Sequence, residues 1–245
     1  MRIIFALLLC LWFGPASAQW SEGRGWLTGA GWLPLAKPSG AIPLSIDGSG
    51  TSNNTSGATT PVTISTANSN DIIIIIAAPN AGPITSVSGA TVGAFTFRSR
   101  SNASGGTVEL WWAKATNPLA SEVITVTPTS ANFTSVFAMA ITGAKTSAPF
   151  DTNVSLPYTH NSVPSDPAVV STTAANTVLV GGFRMNTTGS PSAGSGFTAI
   201  APLANSFALL EYEIVSVAQT STNITITTGV GDSNGSVGDA IVQGP

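Results

Sequence analysis

The most apolar stretch of the chain runs from Ile72 to Ala78 and includes five consecutive isoleucines. It has no polar position at a period of 2 or of 3.6 residues, which is the pattern of a segment covered on every side. Branching at Cβ favours a strand over a helix. The run is also far shorter than the ~20 residues that cross a bilayer as a helix. We therefore predict a central strand that is buried on both faces and does not lie at a sheet edge.

Shorter apolar segments, separated by turns rich in Gly, Ser, Asn and Pro, follow one another along the rest of the chain. Some alternate strictly, such as Val123 to Thr127, where the threonines share one face. Gly48 to Thr60 lacks such a pattern and is expected to be a loop. The other predicted strands are Leu44–Asp47, Pro61–Thr66, Ile84–Ser88, Ala94–Arg98, Val108–Lys114, Glu122–Thr127, Phe133–Thr142, Val169–Thr173, Val178–Met185, Phe197–Ile200, Phe207–Ser216, Asn223–Thr228 and Val237–Val242. This succession predicts an all-β fold.

Several of these strands recur in the same order, which indicates a degenerate internal repeat. The segment from Ile64 to Ile72 aligns with that from Val170 to Val178. Further blocks align in the same order: Ala94–Thr96 with Gly196–Thr198, Val108–Trp112 with Ala208–Tyr212, Val123–Thr127 with Asn223–Thr227, and Ala138–Ile141 with Asp239–Val242. We predict one antiparallel two-sheet β-sandwich over residues 44–245, with pseudo-repeats at about 61–143 and 167–243. Two tandem sandwiches are the alternative.

Four motifs of the first repeat carry a resemblance to a known group of domains. They are Leu110-Trp111-Trp112-Ala113-Lys114, Ile124-Thr125-Val126-Thr127, Ala140-Ile141-Thr142-Gly143 and Ala148-Pro149-Phe150-Asp151. Their order resembles jelly-roll β-sandwich domains of exported bacterial proteins and phage virion proteins. The resemblance covers about residues 44–242 and implies a jelly-roll-like fold. It brings no catalytic residues with it, and a fold does not by itself imply a function.

The first residues are typical of an export signal. Met1-Arg2 is a short positive region, an apolar run follows, and Pro15-Ala16-Ser17-Ala18 ends in an A-x-A cleavage site. We predict a signal peptide over residues 1–18 and no stable membrane span after cleavage, with an uncleaved anchor as the alternative. The single cysteine, Cys10, falls inside this segment. The exported chain is therefore expected to contain neither disulfides nor thiolate metal ligands.

Residues 19–43 read as a Gly- and Trp-rich arm that passes into a Pro-containing linker. Trp20, Trp26 and Trp32 follow one another at intervals of six residues, between glycines. Exposed indoles on a flexible arm would dock onto a protein, glycan or lipid partner. The alternative is an arm that folds back over the sandwich and hides its rings.

Composition and charge narrow the possible partners. Of the 245 residues, 43% are hydrophobic and only 8% are charged, which is enough apolar material for a sizeable core. The formal net charge is −3 and the pI is about 4.9. Nucleic acid and acidic membrane surfaces are therefore not expected as partners.

Four residues are candidates for ligand binding. Arg98 and Arg100 have the spacing of side chains that share one strand face, from which they would grip an anionic sugar or a carboxylate. An exposed edge strand guarded by charge is the preferred interpretation. Trp111 shares a face with Glu109 and is a candidate platform for stacking a sugar ring, and Tyr158 is a further aromatic candidate.

A weak calcium site is predicted near the carboxyl terminus. Asp232, Asn234, Ser236 and Asp239 offer oxygen ligands at near-alternating positions, as a calcium loop does. The segment lacks the bidentate Glu of an EF-hand, and a Gly/Asn turn between the last two strands is the preferred interpretation. No other metal and no cofactor are predicted.

Catalytic chemistry has little support in the sequence. His160 is the single histidine and has no nucleophile elbow to serve, so a solvated loop position is expected. Glu211 and Glu213 share one strand face, and with Asp232 they are the carboxylates that would suit glycoside hydrolysis. The solvated outer face of a sheet is the preferred interpretation of the pair.

Three functions of different class follow from these observations. The first is a noncatalytic structural or adhesive module that is secreted, displayed on the cell surface or carried by a virion, and that binds a protein or glycan. The second is a lectin-like carbohydrate-binding module, and the third is a secreted glycoside hydrolase. We expect the first, with self-association into a homo-oligomer as an open alternative.

Overall fold

The computed structural model describes residues 40–54, 56–103, 106–161, 167–200, 206–227 and 233–245. The predicted signal peptide and the arm as far as residue 39, including its three tryptophans, lie outside the described residues. Gly40 to Pro245 group into one compact unit. Within the described part of the chain, no helix is long and apolar enough to cross a membrane.

The described residues form strands and turns and no helix, so the prediction of an all-β fold with antiparallel sheets is confirmed. The strands of the first half are β1 (Ser45–Asn54), β2 (Thr60–Ile64), β3 (Asp71–Pro79), β4 (Ile84–Gly89), β5 (Gly93–Ala94), β6 (Thr96–Ala103), β7 (Gly106–Ala115), β8 (Glu122–Pro128) and β9 (Thr134–Thr142). Those of the second half are β10 (Tyr158–His160), β11 (Ala168–Val170), β12 (Thr177–Gly189), β13 (Ser192–Ala193), β14 (Thr198–Ala199), β15 (Ser206–Val215), β16 (Thr222–Ile224), β17 (Ile226–Thr227) and β18 (Ser233–Val242).

The strands are arranged in four layers. The first inner sheet has the order β1-β9-β3-β7-β6, and the second inner sheet has the order β10-β18-β12-β15-β14. A first outer sheet, β2-β8-β4-β5, packs on the first inner sheet through one apolar core. The pairs β11-β16 and β13-β17 form a second outer layer, which packs on the second inner sheet through another core. A third core joins the two inner sheets.

The isoleucine run accounts for the layering. Ile73 and Ile75 belong to the core beneath the first outer sheet, whereas Ile72, Ile74 and Ile76 belong to the core between the inner sheets. All of them are 0% exposed, and β3 is the central strand of its sheet. The prediction of a central strand buried on both faces is therefore confirmed.

The sandwich has four layers, whereas the sequence indicated two sheets. Strand β12, the counterpart of β3, also carries apolar residues on both faces: Val178 and Val180 face the first inner sheet, and Leu179 and Phe183 face the second outer layer. An inner sheet that is apolar on both faces must be covered on both sides, so each half adds its own outer layer.

The central strands of the two inner sheets, β3 and β12, pair with their neighbours in a matching register. Ile72 lies between Ile141 and Lys114, and Val178 lies between Ile241 and Ile214 in the same arrangement. When the halves are aligned by this register, Ile141 corresponds to Ile241. The predicted alignment of Ala138–Ile141 with Asp239–Val242 is therefore wrong by one residue. A shift of one residue in a strand exchanges its two faces. Descent of the halves by duplication stays a prediction, as does the jelly-roll resemblance.

Strand β1 occupies part of the segment that was expected to be a loop. The strand continues to Asn54, pairing with β9 along its length. Its glycines make this possible, because a Cβ added at Gly48 or Gly50 would lie 2.0 or 2.1 Å from the carbonyl oxygens of Ser65 and Thr63. The Gly-rich strand β1 can thus lie close to the backbone of β2 and of Ser65, which follows β2. The apolar pattern of the sequence does not reveal this close approach.

Candidate functional site

Most of the predicted binding residues lie around strand β6, the edge strand of the first inner sheet. The register of β6 against β7 shifts between Phe97 and Ser99, which is the signature of a bulge. The bulge sends Arg98 and Arg100 to opposite faces of the sheet, because Arg98 contacts the second inner sheet and Arg100 contacts Glu109 of β7. The prediction that the two arginines share one face is therefore wrong.

Arg100 is held by Glu109, the residue directly opposite it on β7. The Arg100 Nε donates to Glu109 Oε1 at 2.8 Å, and the arginine side chain keeps 29% of its surface exposed while that of Glu109 is fully buried. Glu109 also accepts hydrogen bonds from the backbone N–H of Ile84 at 2.8 Å and from Trp111 Nε1 at 2.9 Å. A buried carboxylate with several donors forms a rigid anchor for the partly exposed guanidinium.

Trp111 is part of this anchor and is not an open platform. It is only 8% exposed and belongs to the core beneath the first outer sheet, so the prediction of an exposed stacking surface at Trp111 is wrong. The exposed ring is that of Phe97, which is 44% exposed. Trp111 meets it edge to face, with ring centroids 5.3 Å apart, and the Arg100 guanidinium lies 5.1 Å from the Phe97 ring centroid.

The guanidinium of Arg98, on the other face of β6, is also held by a buried carboxylate. Its Nε donates to Asp239 Oδ2 on β18 at 2.7 Å, and its side chain is 25% exposed. The guanidinium carbon lies 4.3 Å from the ring centroid of Phe150, which in turn meets Trp112 edge to face at 5.6 Å. Burial raises the pKa of Asp239, and the charge and hydrogen bond of Arg98 oppose that rise.

Tyr158 and His160 lie beside the Arg98 face of β6. Both are on β10, the edge strand of the second inner sheet, and both are half-buried. Ser101 of β6 donates its hydroxyl hydrogen bond to the backbone oxygen of His160, which ties the two edge strands together. His160 is therefore a strand residue, and the expectation of a loop histidine is wrong.

The structure describes the side chains of only two of the four predicted calcium ligands. Asp232 lies outside the described residues, as does the side chain of Asn234. Ser236 and Asp239 both lie on strand β18, where an odd spacing places them on opposite faces, and Asp239 is committed to Arg98. The described residues contain no group of three or more His, Cys, Asp or Glu side chains that would hold a metal ion.

The carboxylates considered for hydrolysis have different surroundings. Glu211 is 0% exposed, and its Oε2 accepts a hydrogen bond from the backbone N–H of Gly194 at 2.9 Å. Burial raises the pKa of Glu211 to about 8. Glu213 is half-buried. The expectation that both lie on a solvated face is therefore wrong for Glu211, because the second outer layer covers that part of β15.

Neither Phe97 as the exposed ring nor Glu109 as the anchor has a direct signal in the sequence. Cross-strand pairs such as Arg100 with Glu109 depend on the bulge in β6, and a bulge shifts the register without altering the apolar pattern. The predicted set of Arg98, Arg100 and Trp111 nevertheless falls around one strand. No protein-family model, no curated protein and no solved structure matches the chain.

Proposed function

We propose that the protein is a noncatalytic, exported module that binds a partner on a cell or virion surface. The export signal of the sequence supports the location, and the surface around β6 supports the binding role. We define the β6 surface as Phe97, Arg98 and Arg100 with the neighbouring Tyr158. The partner is a protein or a glycan.

The exposed ring of Phe97 is the observation that carries the proposal. The ring is 44% exposed, yet Trp111 supports its edge and Arg100 lies beside it. A large apolar group that is already fixed in place loses little conformational entropy on binding. Aromatic and Arg side chains are also the ones that most often carry binding energy at interfaces.

The arginines present hydrogen-bond donors with little net charge. Arg98 and Arg100 each make an ion pair with a buried carboxylate, of Asp239 and Glu109 respectively, and each keeps about a quarter of its side chain exposed. A neutralised guanidinium can still donate to carbonyl or hydroxyl oxygens of a partner. It attracts phosphate weakly, which agrees with the net charge of −3. The β6 surface thus suits an uncharged, polar partner.

A lectin-like role is the second candidate, and the pairing of Phe97 with Arg100 favours it. The apolar face of a sugar ring packs on an aromatic side chain, and its hydroxyls accept hydrogen bonds from a nearby donor. The Arg100 guanidinium, 5.1 Å from the centroid of the Phe97 ring, is placed to be that donor.

Binding of the purified chain to intact cells of the organism that produces it, and to a glycan array, tests the proposal. We expect saturable binding to the cell surface, and the array separates a glycan partner from a protein partner. Absence of saturable binding to both would overturn the binding role. Release of reducing sugar from any glycan that the chain binds would overturn the noncatalytic part.

A further inference from the structure

Asp71, the first residue of β3, is a buried carboxylate with no hydrogen bond of ordinary length. It lies on the same strand face as Ile73 and Ile75, between the first inner and first outer sheets, and is 0% exposed. Neither of its carboxylate oxygens accepts a hydrogen bond of ordinary length from the described residues, and only the hydroxyls of Thr66 and Thr142 come close enough to lower its pKa. Burying such a group is strongly unfavourable unless something compensates its charge.

Side chains close enough to this carboxylate to shift its pKa also present oxygen atoms. They belong to Asp47 of β1, Thr66 after β2 and Thr142 at the end of β9. Asp47 is half-buried, and its Oδ2 accepts hydrogen bonds from the backbone N–H groups of Ala67 at 2.8 Å and Asn68 at 2.7 Å. Neither Asp47 nor Asp71 belongs to an ion pair within the described ranges.

The second half of the chain shows what the fold itself requires at this place. There Asp151 accepts hydrogen bonds from the backbone N–H groups of Thr173 and Ala174, as Asp47 does from Ala67 and Asn68. The residue that corresponds to Asp71 in the register of the sheets is Thr177. One carboxylate is therefore enough to accept the hydrogen bonds of the turn backbone. Asp71 is a second carboxylate, which the second half does not have at the corresponding position.

We propose that the carboxylates of Asp47 and Asp71, with the hydroxyls of Thr66 and Thr142, bind a hard cation of the calcium class. Such ions take oxygen ligands only, and carboxylates are the strongest of them. A shared proton would bind only one of the two oxygens of Asp71, whereas a carboxylate can bind a cation through both. The site is distinct from the β6 surface and does not depend on the proposed function.

The affinity is expected to be modest. The site has two protein carboxylates, and the partial exposure of Asp47 leaves room for water in the coordination shell. Extracellular calcium modules with few charged ligands bind with dissociation constants of about 10⁻⁴ to 10⁻³ M. Millimolar calcium would fill the site.

Thermal unfolding of the full chain with and without 10 mM CaCl₂ tests the proposal, with NaCl at matched ionic strength as the reference. Burial and then Asp47 raise the pKa of Asp71 to about 7, so measurement at pH 8 keeps the carboxylate mainly ionised. We expect calcium to raise the Tm of the wild type by about 2 to 5 °C. Isothermal titration calorimetry with CaCl₂ should give a single site.

Asp71→Thr, which installs the residue of the second half, should fold and lose both the calcium-dependent rise and the heat of binding. Glu122→Gln, a carboxylate elsewhere in the first half, is the matched control and should keep both. An unchanged Tm and no binding heat in the wild type, or an equal response in Asp71→Thr, would overturn the proposal. A pH-dependent Tm without any calcium effect would likewise overturn it, in favour of a proton shared by the two carboxylates.

Discussion

The Nε atom of Arg98 lies 2.7 Å from Oδ2 of Asp239, a fully buried carboxylate 141 residues further along the chain. The pair joins the edge strand of the first inner sheet to β18 of the second inner sheet. It is thus both a link between the halves of the chain and one anchor of the β6 surface.

Arg98→Ala is expected to lower the free energy of unfolding by about 3 kcal/mol, because it leaves the Asp239 carboxylate buried without its partner. Chemical denaturation at pH 7 measures the loss. Lys145→Ala, which truncates an exposed cation, is the matched control and should change stability by less than about 0.5 kcal/mol. A loss in Arg98→Ala as small as that of the control would show that the pair does not hold the halves together.

Gly182→Ala tests how closely the two inner sheets pack. An added Cβ would lie 2.6 Å from Ile76 Cδ1 and 2.9 Å from Val237 Cγ2, so we expect a loss of about 1 to 3 kcal/mol through overpacking. Ile76→Val removes the nearer methyl group and should restore part of that loss in the double variant, measured by denaturation in a double-mutant cycle.

Gly40→Ala is the control for this cycle, because no atom lies within 4 Å of a Cβ at that position. Strict additivity of Gly182→Ala and Ile76→Val would contradict the contact between the sheets. It would mean that the central core is looser than the structure describes.

Glu211 should make stability depend on pH between the ordinary range of a glutamate and about pH 8. Burial raises its pKa to about 8 in the folded chain, so over this interval the folded state holds a proton that the unfolded state has released. Stability should therefore fall as pH rises, by at most about 1.4 kcal/mol per pH unit for one proton. Denaturation midpoints at pH 5, 6.5 and 8 measure this slope.

Glu211→Gln keeps an acceptor for the Gly194 N–H and removes the titration, so its stability should fall less steeply with pH than that of the wild type. Glu213→Gln on the same strand is the matched control and should retain the wild-type slope. The same slope in both variants would assign the pH dependence to other buried carboxylates.

Much of the fold could be predicted because its apolar pattern is strong. The run from Ile72 to Ile76 predicted a strand covered on both faces. The similar sequence that precedes Val178 indicated a second such strand. What the pattern did not contain was the number of layers. The cover for both faces can come from one large pair of sheets or from two smaller outer layers. The pairing of the strands decides between these arrangements.

The site was harder to predict because it depends on a single irregularity. The bulge between Phe97 and Ser99 separates Arg98 from Arg100 and exposes a ring that simple alternation does not identify. The buried carboxylates Glu109 and Asp239 likewise gain their partners only through the assembled sheets. Residue types indicated the right strand, but the orientation of each side chain came from tertiary structure.

Binding of Phe97→Ser to intact producer cells tests whether the exposed Phe97 ring carries partner binding. Affinities of the wild type, Phe97→Ser and Val123→Ser for intact producer cells are compared, since Val123 is similarly exposed but lies on the first outer sheet. We expect a loss of affinity of at least about tenfold for Phe97→Ser, as for an interface hot spot, and wild-type binding for Val123→Ser. Undiminished binding by a folded Phe97→Ser would contradict it.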